Sequence, residues 1–258
     1  MQIIKNVFIL FLSLGIAINL WAYDFEVGGL CYNIIPWGGP NAVEITSYTS
    51  TPWNGSNYDN LTSIAIPSTV DYDGSNYTVT HIGDYALASC PRLTSVTIPS
   101  SVTSIGYGAF YNCSNLASIV IPNSVTSLCD AAFWYCYSLT SVTIPDGIKS
   151  IGYATFGSCT ALSSLTCQAS IVPTTGNSVF YNIPLSKATL YVPETSLEEY
   201  KNAEQWQDFG TISPLETAIS NVEAPSSVHT QKRITDSQVL IIHNNQVYTI
   251  TGAVVKID

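Results

Sequence analysis

The chain has 258 residues, with 8 basic and 18 acidic side chains and a formal net charge of −10. Charged residues make up only 10% of it, against roughly a quarter of an ordinary soluble domain, while apolar residues at 46% suffice for a packed core. An acidic balance speaks against nucleic acid and anionic membrane as partners, because both reward clustered Lys and Arg, and scarce charge leaves few groups for acid–base catalysis.

Residues 1–22 read as an export signal. Lys5 precedes an apolar run from Val7 to Leu20, and Ala22 offers a small residue at a cleavage position before Tyr23. The run is shorter than the roughly 20 residues that cross a bilayer; the alternative is a retained anchor. The mature chain is therefore expected to start near Tyr23, with no membrane span, and to be secreted or held at the cell surface. Residues 23–60, rich in Trp, Tyr, Gly and Asn, are expected to form an N-terminal β cap.

The middle of the chain is organised by a 23-residue repeat. Leu93 opens LTSVTIPSSVTSIGYGAFYNCSN, Leu116 opens LASIVIPNSVTSLCDAAFWYCYS, and Leu139 opens LTSVTIPDGIKSIGYATFGSCTA. An interrupted copy starts at Leu61, broken by an insertion from Val70 to Val79 whose Asp73-Gly74 is a tight-hairpin signal. A degenerate copy starts at Leu162 and reaches Phe180, and Thr189 to Pro193 supply one more strand. Within LTSVTIP the apolar positions alternate as in a strand, and Pro ends it because it cannot donate to a ladder. One such coil cannot bury its own apolar face, so coils stack and equivalent residues form ladders. Residues 61–209 are thus expected to be a mainly β repeat solenoid, closed by a capping box at Ser196–Glu199 and a helix whose Leu197, Tyr200, Trp206 and Phe209 cover the last coil. Residues 210–231 read as a linker, and 232–258 as a small β-hairpin tail turning at Asn244-Asn245.

The repeat, L-x-x-[VI]-x-I-P-x-x-[VI]-x-x-[IL]-x-x-x-[AT]-F-x-x-C, resembles the BspA-like leucine-rich repeat family of bacterial surface and secreted proteins, common in Bacteroides-type organisms. The fragments YDFEVGGLCYNI, VDYDGSNYTVTHIGDYAL and TLYVPETSLEEYKNAEQWQDF support it, and the tail is similar to sorting segments of exported proteins. The resemblance implies a leucine-rich repeat fold that presents an extended surface for protein–protein recognition, in some members adhesion to host matrix proteins. It implies no catalytic residues and no cofactor.

Cys90, Cys113, Cys136 and Cys159 recur at the repeat spacing, behind the Phe110, Phe133 and Phe156 ladder, and read as small buried residues of the core. Adjacent rungs lie within disulfide range, so pairing stays open as the alternative, whereas no CxxC pair or nearby His suggests a metal. Cys129 stands where other coils carry Gly106 and Gly152, and Cys167 where they carry Ile144. His81 replaces Ser104, Ser127 and Ser150 and is expected to be exposed. Between Leu93 and Thr166 the only charges are Asp130, Asp146 and Lys149; the two carboxylates fall at different repeat positions, so a polysaccharide-cleaving pair is poorly supplied. Tyr111 and Trp134 share one repeat position, with Tyr135 and Tyr137 close by. These four rings form a candidate strip for a protein or glycoprotein ligand, or for a glycan; the alternative is that they pack the turn between coils.

Overall fold

A computed structural model describes residues 23–47 and 58–215, together with the backbone of four strands between 230 and 255. The expected export signal, most of the linker and the Asn244-Asn245 turn lie outside the described residues. The chain divides into two units, residues 1–215 and 216–258.

In the first unit, β1 (Phe25–Val27), β2 (Leu30–Ile34) and β3 (Ala42–Thr46) pair antiparallel. They are followed by β4 (Ser63–Ala65) and by the hairpin of β5 (Thr69–Tyr72) and β6 (Ser75–Ile82). Asp73 and Gly74 both have positive φ, 48° and 74°, as a two-residue type I′ turn requires. The later coils then contribute strands to two rows. One row holds β7 (Ser95–Thr97), β9 (Ser118–Val120), β11 (Ser141–Ile144), β13 (Ser164–Cys167), β15 (Thr189–Val192) and β16 (Thr211–Pro214). The other holds β8 (Ser104–Ile105), β10 (Ser127–Leu128), β12 (Ser150–Ile151) and β14 (Thr174–Thr175). Pairing within the second row is parallel, and the row continues through β6 and β3 into the cap, giving a nine-stranded sheet. In the first row β9 to β16 form a five-stranded parallel sheet, while β4 and β7 form a separate pair.

A third ladder closes each coil without regular strands. Tyr85, Gly108, Ala131 and Ala154 are left-handed, as are Ser89, Asn112, Tyr135 and Ser158, with φ between 49° and 64°. This twice-per-coil reversal aims alternate N–H groups at the next coil: those of Tyr85, Leu87 and Ser89 donate to the carbonyls of Tyr107, Ala109 and Tyr111 at 2.7–2.8 Å. The pattern recurs one rung on, from Gly108, Phe110 and Asn112 to Asp130, Ala132 and Trp134. All three sides of the coil thereby satisfy their backbone groups against the neighbouring coil, as burial demands.

The core is a set of like-on-like ladders. Leu93, Leu116, Leu139 and Leu162 are buried, as are Val102, Val125 and Ile148 and then Ile105, Leu128 and Ile151. Phe110, Phe133 and Phe156 are fully buried and stack nearly parallel, with centroids 5.2 and 5.5 Å apart, and Phe180 continues the pile at 6.1 Å. Such contacts contribute about 0.5–1.5 kcal/mol each beyond area burial.

Cys90, Cys113, Cys136 and Cys159 are fully buried, and the seven cysteines are in the reduced, thiol form. These thiols are also donors. Sγ of Cys113, Cys136 and Cys159 donates to the carbonyl of Leu87, Phe110 and Phe133 in the preceding coil, at 3.0, 3.2 and 3.3 Å. Burial raises the Cys136 thiol to about 12, so it remains a donor through the neutral range.

At the far end, α1 (Leu197–Asn202) is one short helix. Ser196 does not cap it; its hydroxyl donates instead to the Ser170 carbonyl at 2.6 Å, tying the helix start to the preceding coil. Trp206 and Phe209, expected on the helix, follow it and stand edge-on to Phe180, each at 5.3 Å, which ends the aromatic pile. Gln205 supplies bonds that a further coil would make. Its Nε2 donates to the Gly176 carbonyl at 2.8 Å, and its Oε1 accepts from the Val179 N–H at 2.9 Å. Residues 211–214, expected in the linker, form β16, because the strand edge of β15 needs a partner.

In the second unit β17 (Thr230–Thr235), β18 (Gln238–His243), β19 (Gln246–Thr249) and β20 (Val254–Val255) form one antiparallel sheet. It starts two residues inside the segment read as linker and has two strands more than a hairpin. His243 pairs with Gln246.

Candidate binding surface

The turn side of the coils carries the aromatic residues. Tyr111, Trp134, Tyr135 and Tyr137 come together there. Tyr111 stands edge-on to Trp134 and Tyr135 at 6.0 and 5.5 Å, Trp134 stacks on Tyr135 at 5.0 Å, and Tyr135 leans on Tyr137 at 5.7 Å. Tyr153 joins the group edge-on to Trp134 at 6.1 Å.

Their exposure divides them. Trp134 is half-buried, its indole Nε1 is buried without a hydrogen-bond partner, and its ring lies over Gly157, where an added Cβ would come within 3.2 Å of the indole. Trp134 therefore packs the turn and supports Tyr135 and Tyr153. Tyr111 and Tyr135 are half-buried too, whereas Tyr107, Tyr137 and Tyr153 remain 39%, 44% and 46% exposed. The phenol of Tyr111 is raised, chiefly by burial and then by Tyr135 and Tyr137. Neutral rings held on a rigid base offer contact area at small entropic cost.

Two carboxylates set this edge. Asp84 Oδ1 accepts the backbone N–H of Tyr107, and Asp130 Oδ1 that of Tyr153, both at 2.7 Å. Glycine makes the arrangement possible, since a Cβ on Gly106 would lie 2.6 Å from Asp84 Oδ1. Asp84, Tyr107, Asp130 and Tyr153 thus alternate rung by rung at 23-residue spacing, a periodicity present in the sequence and distinct from the Tyr111–Trp134 position that first draws attention. Asp146 is occupied elsewhere, accepting from the N–H and Oγ of Ser170 at 3.0 and 3.3 Å. Both carboxylates of the regular coils are thus spent on joining coils.

His81 is half-buried rather than exposed. It lies in β6, between Glu44 of β3 and Ser104 of β8, its Nδ1 is 2.8 Å from Thr80 Oγ1, and burial lowers its pKa. Among the described residues no group of three or more His, Cys, Asp or Glu could hold a metal ion, and no helix is long and apolar enough to cross a membrane.

A comparison with curated proteins found no match. Among solved structures, a leucine-rich repeat protein from T. pallidum superposes with a TM-score of 0.55 at 23% identity, over 74% of this chain and 82% of that one. A leucine-rich repeat protein from Bacteroides ovatus has a TM-score of 0.41 at 24% identity, over 67% and 60% of the two chains. A leucine rich cell surface protein from Faecalibacterium prausnitzii has 0.44 at 23%, over 88% and 60%. The first of these shows a shared fold. The model of the BspA type leucine rich repeat region matches residues 80–205 in six copies, the same span in which the Leu, Phe and Cys ladders stack, and this region of the chain is a leucine-rich repeat region of that BspA type.

Proposed function

We propose that this is an exported, non-enzymatic bacterial protein that binds a protein or glycoprotein partner through the aromatic edge of its solenoid, in an adhesive role at the cell surface or after release. The observation that carries the reading is the set of exposed phenols on the turn side: Tyr107 and Tyr153, held at their backbone by Asp84 and Asp130, with Tyr153 against the half-buried Trp134 and Tyr137 against Tyr135. Rings on stacked coils keep a fixed spacing, so weak contacts add along the edge without an ordering cost at each one. A non-enzymatic role is supported by the coil carboxylates, which hold backbone N–H groups instead of facing each other.

The test is direct binding of the mature chain, from Tyr23 onward, to a panel of matrix glycoproteins, mucins and polysaccharides. Saturable binding to a protein component supports the proposal. Binding confined to polysaccharide moves the function to a glycan-binding module, and turnover of any of them contradicts the non-enzymatic reading.

A further inference from the structure

The N-terminal end of the solenoid holds a second feature, which adjoins the aromatic edge at Asp84 and Tyr85. Between the cap and the first coils lies an open cleft of about 510 Å³, lined among others by Asn33, Trp37, Glu44, His81, Asp84 and Tyr85. It is built by the fold and is no accident of a loose surface. Glu44 stands on β3, where the cap sheet continues into the solenoid, and its carboxyl lies against Gly83, at which an added Cβ would be 3.0 Å from the carboxyl carbon. Asp84 is seated in the same way against Gly106, one rung further on. Asn33 Nδ2 donates to Glu44 Oε1 at 3.2 Å, which orients the carboxylate without neutralising it.

Among the described residues, the side-chain charges that line the cleft have one sign: Glu44 and Asp84 are there, and no described Lys or Arg is. His81, the neighbour of Glu44 across the strands, is held toward its neutral form by burial. Burial first, then Asp84 and Asp24, raise the Glu44 carboxyl. A concave site lined by one sign of charge focuses its field on an incoming counter-charge. The rim adds aromatic surface: Trp37 is 76% exposed, and Tyr85 lies beside Asp84 in the wall. Indole and phenol faces attract cations, and carboxylates match the planar fork of a guanidinium.

We propose that this cleft is a binding site for a cationic side chain, an arginine guanidinium first and a lysine ammonium second, presented by a protein partner. The reading of a protein partner supplies only the source of the cation; the site itself rests on the cleft, its two seated carboxylates and the exposed Trp37. The probe is the peptide acetyl-Gly-Arg-Gly-Arg-Gly-amide, titrated into the full mature chain at low ionic strength, with the same peptide carrying citrulline as the neutral isostere. The proposal expects saturable binding of the arginine peptide, weakened about tenfold or more by citrulline, by Glu44→Gln and by added salt. Trp37→Ala, at an exposed position, weakens it as well. Thermal unfolding of Glu44→Gln and Trp37→Ala checks that both fold. Equal binding of the two peptides, unchanged affinity in a folded Glu44→Gln chain, or no binding overturns the proposal. Failure of the glycoprotein panel alongside binding of the arginine peptide removes the aromatic-edge reading and leaves this one standing.

Discussion

In the regular coils a side chain meets its own kind on the next rung: Phe110 on Phe133 on Phe156, and Cys thiol after Cys thiol on equivalent carbonyls. In the N-terminal cap the neighbours are unlike. Phe25 stacks on Tyr72 at 4.2 Å, and the Tyr58 hydroxyl accepts from the Cys31 N–H and donates to the Thr46 carbonyl, bridging β2 and β3. Repetition makes a rigid, nearly uncharged body whose surface varies little from coil to coil. Diversity, and with it a cleft holding an amide, two carboxylates and an exposed indole, arises where repetition stops. The coils hold a repeated surface still, and the proposed cation site lies where the cap meets them.

The largest expected effect breaks the repeat side of that comparison. Phe133→Ala removes an inner ring of the pile and leaves a cavity between two fully buried rings, Phe110 and Phe156; chemical denaturation should show a loss of about 3–5 kcal/mol. Trp37→Ala in the cap, at a 76% exposed position, should change stability by less than about 0.5 kcal/mol. Similar losses at the two positions would contradict the division.

The thiol ladder gives a smaller effect and a pH signature. Cys136→Ala deletes one donor to a buried carbonyl and should cost about 1 kcal/mol at neutral pH. The Cys136 thiol is raised in the fold from an ordinary 9.0 to about 12. Its contribution is therefore fully present below about pH 9 and is lost as pH climbs toward 12. Denaturation midpoints of Cys136→Ser should fall less steeply over that window than those of the native chain. Equal slopes would remove the thiol from the account.

The smallest effect sharpens the cap side. Glu44 has a raised pKa, so folding is favoured while it is protonated and loses that advantage as pH rises through its folded value. Asp84 and Asp24 add to the burial that causes this, and Asn33 opposes it. Glu44→Gln should then be more stable than the native chain at neutral pH, by less than about 1 kcal/mol for a half-exposed group. The difference should vanish as pH falls well below about 4, where the carboxyl is protonated in either state.

The same contrast explains what could be read from the residues alone. The ladders were legible because a strict period of 23 converts position in sequence directly into a neighbour in space. The aromatic group of Tyr111, Trp134, Tyr135 and Tyr137 follows from that rule, and its proximity is what the structure shows. Which rings face outward did not follow, because Trp134 sinks onto Gly157, a residue of the next coil. The capping box at Ser196 matched a local pattern, yet its hydroxyl found a partner 26 residues away in the previous coil. Glu44 and Asp84 share no repeat register, and only the sheet that carries the cap into the coils brings them to one cleft.

The central claim, that the coils are scaffold and the exposed phenols are the contact surface, is tested most directly by a chain carrying Tyr107→Ser, Tyr137→Ser and Tyr153→Ser together. Its affinity for the glycoprotein that the native chain binds is measured beside its denaturation midpoint. The account predicts a near-native midpoint with binding weakened about a hundredfold or more, as expected when central aromatic anchors are removed. Native-like affinity in this folded variant would contradict it.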